Sequence, residues 1–135
     1  MQFNPMTLPL WGLVCLSILA LIHVSCDSFL LKLSVGNAWT AGPRDTTVSR
    51  GALAGRAQRA FTNFLETAPV FISLALVAEL ASLHSALISA GIYTYLGGRA
   101  LYLPAYLSGL PYLRTAIWLI ATSGLAAMLA GVLLA

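Results

Sequence analysis

Charge is what this chain has least of. Of its 135 residues 8% are charged and 59% hydrophobic, with a mean hydropathy of +0.88. Soluble domains carry about 25% charged residues, so this composition excludes an ordinary soluble domain and indicates a membrane protein. No charged side chain occurs over residues 1–26, 80–98 or 115–135, and each stretch approaches or exceeds the roughly 20 residues that cross a hydrocarbon core. A fourth apolar segment runs from Arg56 to His84, broken by Glu66 and Glu79. Cysteine is also scarce. Cys15 and Cys26 stand 11 residues apart on one expected helix, about 16 Å along its axis, too far to bridge, and read as small packing residues. The chain lacks a His/Cys/carboxylate cluster for a metal, a Gly-rich phosphate loop and a nucleophile elbow. It shows neither an inverted repeat nor a pair of discontinuous helices to suggest a transporter. The net charge of +3 comes from basic residues too few and too scattered for nucleic acid.

The hydrophobic pattern predicts an all-α integral membrane four-helix bundle, one membrane domain over residues 1–135, with helices at about 7–33, 56–83, 86–107 and 112–135. The first segment has no basic n-region and is too long for a usual signal h-region, so it reads as a retained helix. Residues 34–55, rich in Gly, Ser, Thr and Pro, read as a long loop. Lys32, Arg44, Arg50, Arg56 and Arg59 follow the first helix and Arg114 opens the fourth, whereas the second connection and both termini carry no Lys or Arg. The positive-inside rule then makes the first and third connections cytoplasmic and both termini non-cytoplasmic. Pro69 and Pro104 are expected to kink the second and third helices. Gly91, Gly97 and Gly98 on the third helix, and Gly124, Ala127 and Gly131 on the fourth, suit close helix approach. Asp27 either pairs with an arginine or lies at headgroup level. Arg44 and Arg50 read as headgroup-contacting loop residues, Glu79 and His84 as interfacial, and His23 as a packed or snorkelling side chain rather than a ligand.

Against this apolar background two polar stripes stand out. Arg59, Asn63 and Glu66 follow i, i+4, i+7 within the second helix; Arg99, Tyr102 and Tyr106 follow i, i+3, i+7 within the third. At about 100° per residue each set lies on one helix face. An ionisable group inside a membrane helix costs roughly 2.5–3.5 kcal/mol on insertion scales, so such groups face a partner, a cavity or a ligand. The topology puts both stripes in the cytoplasmic half of the bundle, level with Arg114. The inventory is three guanidiniums, one carboxylate, one carboxamide and two phenols. It offers bidentate carboxylate recognition, an acceptor for an ammonium, and amide and hydroxyl contacts for a peptide backbone. A small zwitterionic peptide with two carboxylates matches it, and a cationic surround would also favour a thiolate over its thiol.

Other readings of the same residues stand beside this one. The Arg59/Asn63/Glu66 face would also serve as an interhelical salt-bridge network fixing subunit register, or as a binding site for anionic lipid. Tyr102 and Tyr106 would serve as interface-belt aromatics, and Arg114 as a positive-inside anchor. These make a non-catalytic membrane protein the alternative to an enzyme.

The run Arg59-Ala60-Phe61-Thr62-Asn63-Phe64-Leu65-Glu66-Thr67-Ala68-Pro69-Val70-Phe71 resembles the second-helix signature of the membrane-associated proteins in eicosanoid and glutathione metabolism, the MAPEG family. Arg99-Ala100-Leu101-Tyr102-Leu103-Pro104-Ala105-Tyr106, with Pro111 and Arg114, resembles its third- and fourth-helix signature. The resemblance extends over the chain's length and motif order, and is closest to the bacterial branch. It implies a homotrimer of left-handed, up-down bundles in a bacterial inner membrane, binding glutathione as co-substrate between subunits on the cytoplasmic side, without a metal. Arg59, Asn63 and Glu66 would contact glutathione, Tyr102 and Tyr106 would frame it, and Arg99 joins them as a candidate binding residue. Arg114 would stabilise the thiolate for transferase or peroxidase chemistry on a lipophilic electrophile. Thr67 departs from members that carry a tyrosine after the glutamate.

Overall fold

The computed structural model describes residues 6–135; the first five residues of the expected membrane domain lie outside the described residues. Five helices follow in order: α1 (Leu8–Val35), the short α2 (Asn37–Ala41), α3 (Ala52–Leu80), α4 (Ala86–Ser108) and α5 (Pro111–Leu133), with no strand among the described residues. Three of the four long helices, α1, α3 and α5, are long and apolar enough to cross a membrane. The fourth, α4, has the same 23 residues as α5, but Arg99 and the tyrosines at 93, 95, 102 and 106 make it less apolar.

Side-chain contacts fix the long helices as antiparallel neighbours. The start of α1 meets the end of α3, where the Thr7 hydroxyl donates to the Glu79 carboxylate. Near its other end, Asp27 accepts from Arg50 at 2.7 Å just before α3 begins. The start of α3 reaches the end of α4 through Arg56, and the end of α5 returns to the start of α4, where Gly131 lies against Ser85 and Ile88. Helix α4 touches α1, α3 and α5.

The buried face of α3 is built almost wholly from alanine: Ala54, Ala57, Ala60, Ala68, Ala75 and Ala78, with Phe64 and Phe71 between them. Their three- and four-residue spacing keeps them on one stripe. Small side chains let neighbouring backbones close in, which matters where lipid removes the hydrophobic drive for helix association. Phe71 stacks on Tyr95 with centroids 4.9 Å apart, and the Tyr95 hydroxyl lies 2.9 Å from the Thr67 hydroxyl. His23 is buried and stacks on Phe64 at 4.5 Å. Its Nδ1 donates to the Leu19 carbonyl at 2.8 Å, because a carbonyl can only accept. It is a packed side chain that ties α1 to α3.

Glycine sets the α4–α5 contact. A Cβ on Gly91 would lie 2.5 Å from the Gly124 carbonyl oxygen, and one on Gly98 would lie 2.7 Å from the Ala121 Cβ. Gly97, expected to share this role, has nothing within 4 Å of its Cβ position and is exposed. It is turned about 100° from Gly98 and lines the groove between α1 and α4.

Two further expectations are revised. The stretch expected as loop over 34–55 is shorter: α1 runs on to Val35, α2 occupies Asn37–Ala41 and α3 starts at Ala52. The intervening turn folds back on itself, with Trp39 Nε1 donating to the Thr46 carbonyl at 3.1 Å and Arg44 to the Thr40 carbonyl at 2.8 Å. Arg50, read as headgroup-contacting, is instead the partner of Asp27, since two opposite charges at the edge of a low-dielectric bundle gain more by meeting than apart. Pro69 and Pro104, at which kinks are expected, lie inside α3 and α4, and each helix runs on past its proline.

Gly91→Ala is expected to lower the thermal midpoint in detergent, an overpacking cost of about 1–3 kcal/mol. Gly97→Ala should leave it unchanged or raise it, through a helix-propensity gain of about 0.5–1 kcal/mol. Equal losses in the two variants would contradict the assignment of Gly91 to the α4–α5 contact.

Candidate functional site

The polar stripe on α3 lies beside the alanine stripe, displaced by one residue at each turn. Arg59 precedes Ala60 and Asn63 precedes Phe64, so the polar groups stand at the rim of the buried face. Asn63 is half-buried, whereas Arg59 and Glu66 are exposed. Glu66 lies about 21 Å along α3 from its first residue, well inside the helix.

On α4 the second stripe is turned inward. Arg99 is 1% exposed, and Tyr102 and Tyr106 are buried. Arg99 Nη1 donates to Asn63 Oδ1 at 2.9 Å, joining the two stripes across the α3–α4 contact. A guanidinium has donors only, so the amide oxygen must face it and the amide nitrogen must point away. That nitrogen donates to Glu66 Oε2 at 3.3 Å. Arg99 Nε and Nη2 find no hydrogen-bond partner among the described residues. Aromatic rings surround the cation instead: its Cζ lies 4.7 Å from the Tyr102 centroid, 5.5 Å from Phe64 and 6.0 Å from Tyr95.

Tyr106 gathers the remaining arginines. It meets Tyr102 edge to face at 5.5 Å. Arg114, on the first turn of α5, holds its Cζ 5.0 Å from the Tyr106 centroid, and Arg59 lies 5.9 Å from the same ring. Stacking occupies the face of a guanidinium and leaves the N–H groups at its edge free for an anion.

Two open clefts share Asn63 and Tyr102 as walls. One, of about 300 Å3, is bounded by Arg59, Glu66 and Tyr106, with Gln58 and Thr62 beside them. The other, of about 190 Å3, is bounded by Arg114, Thr115 and Trp118. Roomier grooves lie elsewhere, one of about 710 Å3 between α1 and α4 beside Trp11 and Tyr93, but its walls are almost wholly apolar. The polar side chains of the two stripes line the smaller pair.

The six residues singled out by helical spacing and Arg114, singled out by its level at the start of the fourth helix, fall in one constellation: Arg59, Asn63, Glu66, Arg99, Tyr102, Tyr106 and Arg114. Their depths differ. Arg59, Glu66 and Arg114 present exposed side chains, whereas Arg99 sits behind Asn63 and Tyr102. Among the described residues the one ion pair is Arg50–Asp27, so no salt bridge within the chain neutralises these arginines.

The cleft walls also include Gln58, Thr62, Thr115 and Trp118, which were not singled out in the sequence. The signal for them was present: Gln58, Thr62 and Glu66 share an i, i+4, i+8 row, and Trp118 lies one turn beyond Arg114.

No curated protein and no solved structure matches the chain. The sequence model described as the MAPEG family matches residues 7–134, essentially the whole length. With three helices long and apolar enough to span a bilayer, the chain is an integral membrane protein. It belongs to the MAPEG family, whose members act in membrane-bound glutathione-related chemistry.

Proposed function

We propose that the paired clefts bind glutathione, and that the protein acts as a glutathione-dependent transferase or peroxidase on lipophilic electrophiles. The observation that carries this reading is the convergence of Arg59, Arg99 and Arg114 on the rings of Tyr102 and Tyr106, with Glu66 the one carboxylate in the cleft walls and no ion pair among the four. Ionised glutathione brings two carboxylates, a thiolate and one ammonium, and its net negative charge offsets the surplus of guanidinium over carboxylate in the constellation. Its one ammonium suits Glu66.

In this reading Arg59 and Glu66 take the charged ends of the peptide, and Asn63 its backbone. Tyr102 and Tyr106 form the wall behind it. Arg99 acts from behind, through Asn63. Arg114 offers its free edge to the sulfur, and in a site that excludes water such a donor is worth far more than in bulk solvent. The thiolate then attacks the electrophile: a bond from sulfur forms, and the displaced group leaves with its electron pair. Holding the peptide fixed contributes through proximity, Arg114 through charge.

The same reading requires a neighbour. Arg59 and Glu66 are exposed on a helix that otherwise suits lipid, and an uncovered charge there is costly. Four spans, a homotrimer with the clefts between subunits, and an inner-membrane topology with the clefts facing the cytoplasm and the termini away from it complete the proposal.

Glutathione at about 100 times its dissociation constant should stabilise the detergent-solubilised protein by about 2.7 kcal/mol, measured as a rise in thermal midpoint. No rise would favour the reading in which the polar face binds lipid or joins subunits. Arg114→Ala should lower kcat by about 100-fold while weakening glutathione binding by less than about tenfold. Equal losses in stopped-flow and binding measurements would make Arg114 a binding residue and remove it from the chemistry.

A further inference from the structure

Arg56 lies one turn before Arg59 on α3 and lines neither cleft. Its Nη1 donates to the Leu107 carbonyl at 3.2 Å, within the last turn of α4. The final carbonyls of a helix lack intrahelical donors and carry the negative end of the dipole, so a guanidinium there is both satisfied and attracted. The ion pair among the described residues is made by Arg50, not Arg56; for Arg56 the helix end takes the place of a carboxylate.

The guanidinium also lies against Gly109, the residue that ends α4. A Cβ at that position would meet Arg56 Cζ at 2.7 Å and both Nη atoms at 2.8 Å. Nearly equal distances to three atoms mean that the flat group covers this backbone. Gly109 has φ +79°, a left-handed conformation that a side chain disfavours. Two separate constraints thus call for glycine here.

Beyond Gly109 there is no slack. Gly109 and Leu110 alone separate α4 from α5. The Leu110 N–H donates to Ser108 Oγ at 3.3 Å, and Pro111 opens α5 with its φ already fixed. The Arg114 N–H closes the first turn on the Leu110 carbonyl at 3.4 Å. Tyr106, over which Arg114 lies, precedes the clamped carbonyl by one residue.

We propose that Arg56 is a positioning residue: by clamping the α4 terminus and the Gly109 turn it fixes where α5 holds Arg114 relative to Tyr106. The inference rests on the reading of Arg114 as the thiolate-stabilising group. Around the clefts stand Arg59 and Glu66 of α3, Arg99, Tyr102 and Tyr106 of α4, and Cys26 of α1, which packs against the cluster of Ala60, Leu103 and these two tyrosines. All remain in every Arg56 and Gly109 variant.

The test uses the full chain in detergent, following thiolate absorbance of bound glutathione against pH, with kcat and glutathione affinity. Arg56→Ala should raise the pH midpoint of thiolate formation by about one unit and lower kcat about tenfold, with affinity changed less than about threefold. Gly109→Ala should move the midpoint in the same direction, and Arg56→Lys should recover part of the loss. These two variants carry the test if Arg56→Ala does not fold. An unmoved midpoint in Arg56→Ala and Gly109→Ala, with a shifted one in Arg114→Ala, overturns the proposal. So does an affinity that falls in step with kcat at constant midpoint, which would make Arg56 a ligand contact. A midpoint unmoved in Arg114→Ala as well overturns instead the reading of Arg114 on which the proposal rests.

Discussion

A guanidinium buried without a carboxylate is the constraint from which this site is organised. Arg99 brings a full charge into the α3–α4 contact and meets it with one amide oxygen and three aromatic rings. Removing a charge from water is costly unless its donors are met. That requirement selects the neighbours: an amide at position 63, and rings at 64, 95 and 102. Because Arg99 can only donate, it also orients Asn63 and turns the amide nitrogen toward Glu66. One buried cation therefore sets the direction of a donor at the cleft surface, on the residue it touches directly.

Around this fixed centre the other charges are less constrained. Arg59 and Arg114 lie 5.9 and 5.0 Å from the Tyr106 ring centre and keep exposed side chains. The buried half of the constellation is held by packing, the exposed half by these ring contacts and by its helices. The bundle supplies the frame: the alanine stripe of α3 and the glycine contacts between α4 and α5 draw the helices close enough for short polar side chains to meet across them.

Much of this was legible in the chain itself. Scarce charge and long apolar runs indicated membrane helices, and helical spacing placed six polar residues on two short faces that the structure brings together with Arg114. Spacing did not say which of those faces points inward. Arg59 and Arg99 look alike in sequence, yet one is exposed and the other buried, because α3 presents its alanines to the core and its arginine to the rim. Arg50 was legible as basic and near the interface, but its pairing with Asp27 depends on the turn between α2 and α3, whose fold comes from contacts among Trp39, Arg44 and Thr46 that have no periodic signal. Gly97 and Gly98 are adjacent and chemically identical. Only the direction of α5 decides that one is a contact and the other is not. Arg56 extends the α3 stripe by one turn, yet nothing in the spacing shows that its partner is a helix end.

The central claim is that these arginines hold glutathione as its thiolate, and proton release measures it directly. A free thiol ionises near about pH 8.5 and is almost fully protonated at pH 7. Calorimetric titration of the protein with glutathione at pH 7, repeated in buffers of different ionisation enthalpy, should therefore show close to one proton released for each glutathione bound. S-methylglutathione, which has no thiol proton, should bind with almost none. Binding of glutathione without proton release, or equal release with both ligands, would contradict the claim.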